Sequence, residues 1–304
     1  MIHLASGSIE AVIATETGNQ VRSLKCHPPG GAVEVPSGHE ILWMPTEPNK
    51  LGGIPFLAPW ANRLDGDSYS ANGKRYCLNP NVTHIRRDGH GLPIHGLLAF
   101  CQGWQVVSQS ESSVTSRLDF FKHPGWMAQF PFAHTIEITH RIVGDSFAVE
   151  TAIENLATEP MPLCIGFHPY FQLTDTPRDE WNLTIPASQS VVLSDKVIPT
   201  GEVKPSNLPR PLPLSGTSLD SVFTGLTGEA FVAEGRAHKI SVKFGPKYPV
   251  AIVYAPAGQP YFCFEPMSAL TNAFNLPLEQ GLLQHIAPGE IWRESFWIRC
   301  EART

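Results

Sequence analysis

Short apolar or alternating stretches, broken by proline, glycine, asparagine and aspartate, run along the whole chain. Ile9 to Ala14, Glu40 to Met44, Thr115 to Phe121, His134 to Ile142 and Phe147 to Ile153 all read as strands. So do Trp181 to Ile185, Lys239 to Phe244, Val250 to Tyr254 and Ile291 to Cys300. In His134 to Ile142, residues Ile136, Ile138 and Ile142 fall on one face and Glu137 and Thr139 on the other, the alternation of a half-buried antiparallel strand. Phe147, Val149, Thr151 and Ile153 repeat it. No segment of eleven or more residues keeps a 3.6-residue apolar period. The pattern therefore predicts an all-β sandwich or barrel. Pro199 to Ser218, with five prolines and two glycines, reads as a long surface loop inside one domain that spans residues 1–304.

Composition sharpens this picture. Of 304 residues, 42% are hydrophobic, enough for a packed globule, and only 16% are charged. Twenty-five glycines and 28 prolines favour frequent turns over long helices. The net charge of −6, with no basic run, argues against a nucleic-acid or anionic-membrane partner. No apolar run approaches the roughly 18 residues of a membrane span. Six scattered cysteines form no Cys-x-x-Cys pair, and no signal peptide is legible, so a cytoplasmic protein with free thiols is expected. No coiled coil or other assembly element stands out.

Three segments set chemically capable residues in apolar surroundings. His95 lies between Ile94 and Gly96; His168 lies among aromatics and before Pro169; Glu265 is the only charge in Tyr261 to Met267. A carboxylate in such a setting must be paired, hydrogen-bonded or raised in pKa by desolvation. Each residue alone also reads as a structural group. His84, His90 and His95 share no helical or strand period, so no metal site is expected there. Trp60 and Trp104 could stack on a sugar but read first as core. Gly-x-Ser-x-Gly, Gly-x-Gly-x-x-Gly and His-Glu-x-x-His are all absent from the sequence.

Together the segments resemble one family, the aldose 1-epimerases (galactose mutarotases). The pieces are Gly53 to Leu64 with its Asn62-Arg63 pair, Ile94-His95-Gly96 followed by Trp104, and Gly166-Phe-His-Pro-Tyr-Phe171. Ser218 to Phe223, Phe264-Glu265-Pro266 and Ala287 to Glu290 complete the order. The resemblance implies a large antiparallel β-sandwich of the galactose mutarotase-like supersandwich type. It also implies interconversion of the α and β anomers of a free aldohexose, a small-molecule sugar partner, and neither metal nor cofactor. By motif, Glu265 matches the family's general base, His168 its general acid and His95 its second histidine. Arg63 matches the substrate-binding arginine, with Asn62 beside it, and Asp220 the aspartate that holds sugar hydroxyls. Leu97 stands where many members have a second glycine, and Gln172 where asparagine is common.

Two other readings share the fold. A hexose-6-phosphate epimerase needs cations near the His-Gly motif, yet Leu97 to Gly103 carries none; Arg86 and Arg87 would have to serve by folding over the cleft. A non-catalytic sugar-binding protein would be expected to lose the acid or the base, and both are present.

Overall fold

The computed structural model describes residues 1–27 and 38–303. Two large sheets dominate it, and all pairs between named strands are antiparallel. One is nine-stranded and runs from Leu212–Pro213 at one edge through Ile291–Ala302, Ser146–Asn155 and His134–Val143 to Gln105–Gln109 at the other. The other is eight-stranded and carries, in order, Pro199–Pro205, Ala187–Leu193, Leu219–Leu226, Val250–Ala255, Phe262–Met267, Gly166–Phe167 and Phe56–Leu57. Tyr170–Phe171 also pairs with Phe262–Met267. A four-stranded N-terminal sheet spans Ile2–Ser6 to His39–Glu40.

The predicted alternation sets the packing. Ile136, Ile138 and Ile142 are buried, and Ile136 and Ile142 face Ile153 and Phe147 on the neighbouring strand. Between the sheets lies an aromatic core in which Phe167 sits 5.0 Å from both Phe56 and Phe296. Phe264 joins it through Phe231, at 5.4 Å. Removing a side chain of this kind from water is worth about 1.5–3 kcal/mol.

Phe262–Met267 uses its two faces differently. Phe262 and Phe264 belong to the main core, whereas Cys263 and Met267 belong to a smaller apolar cluster with Tyr170, Val222 and Ile252. Glu265, by the period of two, shares the face of Cys263 and Met267. A sandwich needs only one buried face per sheet, so the other is free to build a site.

Some expected elements differ. Pro199 to Ser218 is not all loop: Pro199–Pro205 pairs with Ala187–Leu193, and Leu212–Pro213 pairs with Asn182–Thr184. Both are edge strands, where a proline's missing N–H faces away from the ladder. The strand expected to Met44 stops at Glu40, and Leu42 makes only a single bridge to Phe171. There the Glu40 carboxylate accepts from the N–H groups of Leu24 and Leu42, both at 3.0 Å, in place of a backbone ladder. The strand from Ser113 ends at Asp119, and Phe120–Lys122 forms a 3-10 turn. Trp60 and Trp104 are buried core residues.

Candidate active site

Strand register assembles the site. Asp220 lies opposite Tyr254, Tyr254 opposite Cys263, and Cys263 opposite Tyr170. One step along the same face, Val222 lies opposite Ile252 and Ile252 opposite Glu265. Gly166 pairs with Met267 and Tyr170 with Cys263 at a constant offset, which sets His168 opposite Glu265. Pro169 has no N–H to continue that ladder. The His168 N–H turns away and donates to the Pro55 carbonyl at 3.1 Å. His168 Nε2 then lies 3.2 Å from Glu265 Oε1, and its ring stacks on Tyr170 at 4.5 Å and 10°.

The facing wall comes from two loops. Asn62 and His95 hold positive φ angles of 55° and 62°, and the His95 N–H donates to the Asn62 carbonyl at 2.9 Å. Gly96, at φ 63°, has no alternative: a Cβ there would collide with the Ala58 carbonyl. These turns bring His95 edge-on to His168, with ring centroids 5.4 Å apart. Arg63 Nη1 donates to Asn62 Oδ1 at 3.1 Å and Nε to Asp88 Oδ2 at 2.6 Å.

Asn62, Arg63, His95, His168, Asp220 and Glu265, all six residues singled out in the sequence, line one cavity of about 200 Å³. Ile94, Tyr170, Ile252 and Tyr254 complete the wall. A larger cleft of about 660 Å³, near Val191, Leu226 and Phe244, contains no histidine, arginine or lysine and so lacks an acid–base set.

Burial controls the charges in the smaller cavity. It pushes Glu265 well above the usual carboxylate range, reinforced by Asp220 and opposed by Arg63. Burial also lowers His168 to about 3, with a further push from Arg63. His95 falls well below its ordinary value through burial, then the charges of His168, Arg86 and Arg63. Asp220 rises through burial while Arg63 pulls it down. Burial thus favours the neutral form of both groups, whose Nε2 and Oε1 atoms lie 3.2 Å apart. Glu265 Oε2 has no hydrogen-bond partner among the described residues, which is costly for a buried acceptor. The Asp88 carboxyl is held low against its burial by Arg63 and by the N–H groups of Leu92 and His90.

Cys263, His168 and Glu265 each place one possible metal-ligand atom within 4.8 Å of the other two, all buried. This is the one such set among the described residues, and it lies away from His84 and His90, which line no part of the cavity.

Tyr254, Asp88 and the Cys263 thiol carried no assignment in the sequence. Tyr254 ends a recognisable strand, and its alternation with Ile252 was the signal available. Asp88 merely follows two arginines, and nothing local ties it to Arg63.

The site thus sets a paired histidine and glutamate beside an arginine and an aspartate in one cavity of a β-sandwich. The model of one family, aldose 1-epimerase, matches residues 7–299. The chain belongs to the aldose 1-epimerase family. It is similar to two Escherichia coli K12 proteins. YphB is 28% identical over 258 residues, covering 81% of this chain and 82% of YphB; YihR is 26% identical over 304 residues, covering 96% and 91%. A galactose mutarotase-like protein from Clostridium acetobutylicum shares the fold, with a TM-score of 0.85 at 20% identity over 99% of this chain and 95% of that one.

Proposed function

We propose that the protein interconverts the α and β anomers of an aldohexose by acid–base opening and reclosing of its ring. The observation that carries this reading is the contact of His168 Nε2 with Glu265 Oε1 at 3.2 Å in a cavity of monosaccharide size. Opening a hemiacetal needs one group to take the C1 hydroxyl proton and another to protonate the ring oxygen.

In the proposed reaction the proton passes from Glu265 to His168 across their 3.2 Å contact, leaving Glu265 as the carboxylate and His168 as the acid. Glu265 takes the C1 hydroxyl proton, the electron pair of that O1–H bond becomes the second C1–O1 bond, and the bond from C1 to the ring oxygen breaks with its pair going to that oxygen. That oxygen takes the proton from His168. After rotation about C1–C2 the same steps run backwards. His95 donates toward the developing carbonyl oxygen, as a preorganised hydrogen bond would. Arg63, Asn62 and Asp220 hold the remaining hydroxyls. The scheme needs no metal or cofactor.

We also take residues 1–304 as one domain, supported by the single main core that both large sheets share. A cytoplasmic setting is in keeping with six free cysteines, five of them buried, and among the described residues no helix is long and apolar enough to cross a membrane.

The test is anomer exchange of fresh α-D-glucose and α-D-galactose, followed by proton NMR or polarimetry. Acceleration that vanishes in folded Glu265→Gln is the expected result. Equal rates with and without the wild-type protein, on both sugars, would overturn it.

A further inference from the structure

Arg63 lines the cavity, and Arg86 and Arg87 lie on the segment that pairs beside Ile94. Arg63 bridges Ile94, and the Ile94 N–H donates to the Arg86 carbonyl at 3.0 Å, next to the Arg87–Pro93 bridge. Arg63, Ile94 and Arg86 thus form one row across three antiparallel segments. Residues directly opposite in such a row project to the same side. Arg63 and Ile94 project into the cavity wall, so Arg86 stands on that side too, about 5 Å beyond Ile94 at the backbone.

The three cations differ in their partners. Arg63 is paired with Asp88, and Arg87 Nη1 lies 2.8 Å from Asp67 Oδ1 and donates to the Gly91 carbonyl. Arg86 makes no ion pair among the described residues. Its Nη1 reaches only the Asn49 carbonyl, at 3.3 Å, and its buried Nε has no partner. The guanidinium is half-buried and lies over the Phe100 ring, 5.1 Å from the centroid. A guanidinium held this way is presented for planar, charge-assisted recognition of an anion.

We propose that Arg86 is an anion subsite of the sugar cavity, and that the preferred substrates are acidic aldoses bearing a carboxylate or phosphate away from C1. This rests on the cavity being the sugar site. Leu97 to Gly103, after the His-Gly motif, supplies no cation. The preceding segment supplies one instead. Asp220 and Glu265 project from the sheet, and Asp88 and Asp67 are engaged by Arg63 and Arg87, so the anionic end of the sugar is directed to Arg86.

The experiment compares glucose, glucose 6-phosphate and glucuronate as substrates of the wild type, Arg86→Gln and Arg86→Lys, with calorimetric binding of each sugar alongside. One acidic sugar should exceed glucose in kcat/KM by about 10- to 100-fold, the range of a charged hydrogen bond. Arg86→Gln should cut that ratio at least about tenfold, and Arg86→Lys should restore part of it. The better of the two acidic sugars tells whether carboxylate or phosphate is read. A ratio near one in the wild type, or one unmoved by Arg86→Gln, overturns the subsite while leaving epimerase activity on glucose intact. Binding of an acidic sugar that disappears in Arg86→Gln, without turnover of any sugar, sustains the subsite and overturns the epimerase reading instead.

Discussion

His168 and Glu265 occupy opposed positions at an offset kept by the pairs on either side, Gly166–Met267 and Tyr170–Cys263, yet no backbone bond joins them. The ladder is interrupted at the one place where the two side chains face each other, 3.2 Å apart. Pro169 cannot donate, and the His168 N–H goes to Pro55. Reactive side chains are thereby fixed by rigid strands on both sides without sharing the ladder themselves.

Glu265→Gln and His168→Asn should each lower kcat by about 10² to 10⁴, the usual worth of one positioned acid or base. Stopped-flow polarimetry on folded variants checks this. Near-normal turnover in either would remove that residue from the reaction.

The opposite shifts of His168 and Glu265 predict a pH–rate profile without the step of a free histidine. His168 is lowered to about 3, so the pair gains a second proton only near that pH. Glu265 is raised, so the pair loses its only proton on the alkaline side of the ordinary carboxylate range. The acid limb of kcat/KM should lie near pH 3, and any second limb should lie above the ordinary carboxylate range. A step near 6.5, the value of an unperturbed histidine, would show that His168 titrates independently.

Stability should fall on acidification through the buried histidines His95, His134, His140 and His168. His134 is lowered to about 4, and His140 and His168 to about 3, all by burial. Between those values and 6.5 the unfolded chain binds more protons than the native one, so stability rises with pH there and is lost as pH falls. Glu265 works in the opposite direction above about 4.5, where the native state keeps a proton that the unfolded chain releases. Thermal unfolding at pH 4.5, 5.5 and 6.5 should give a rising Tm; a flat series would contradict the burial of these rings.

Gly96→Ala tests the loop that aims His95. It combines a left-handed φ of 63° with a collision against the Ala58 carbonyl. The strain alone is about 1–2 kcal/mol. Tm should drop, and kcat should fall at least about tenfold as His95 shifts. A stable, fully active variant would show that the turn does not position the ring.

Asp88→Asn asks whether the buried pair orients Arg63. Loss of the 2.6 Å contact should raise KM about tenfold and change kcat less. Equal loss in both parameters would place Arg63 in the transition state rather than in ground-state binding.

Of the six candidate site residues, Glu265, His168 and His95 are marked locally, whereas Asn62, Arg63 and Asp220 entered only through the family resemblance. Glu265 is a charge in an apolar run, His168 precedes a proline, and His95 lies between an isoleucine and a glycine. Tyr254 and Asp88 were hidden because their roles arise from pairing between distant segments. Asp88 meets Arg63 across a loop, and Tyr254 meets Asp220 only through strand register. The Pro199–Pro205 strand was missed for a related reason, since edge position is what excuses its prolines and a linear pattern does not report edges.

Phe262 and Phe264 share a strand with Cys263 and Glu265 but face the other way. A one-residue slip of this strand against its neighbours would exchange the two sets, driving a carboxylate into the hydrocarbon interior and two phenyl rings into the cavity. Folding therefore acts as a proofreading step for reactivity: chains that misplace the glutamate also forfeit their core, and the molecules that reach the folded pool carry the carboxylate on the right side.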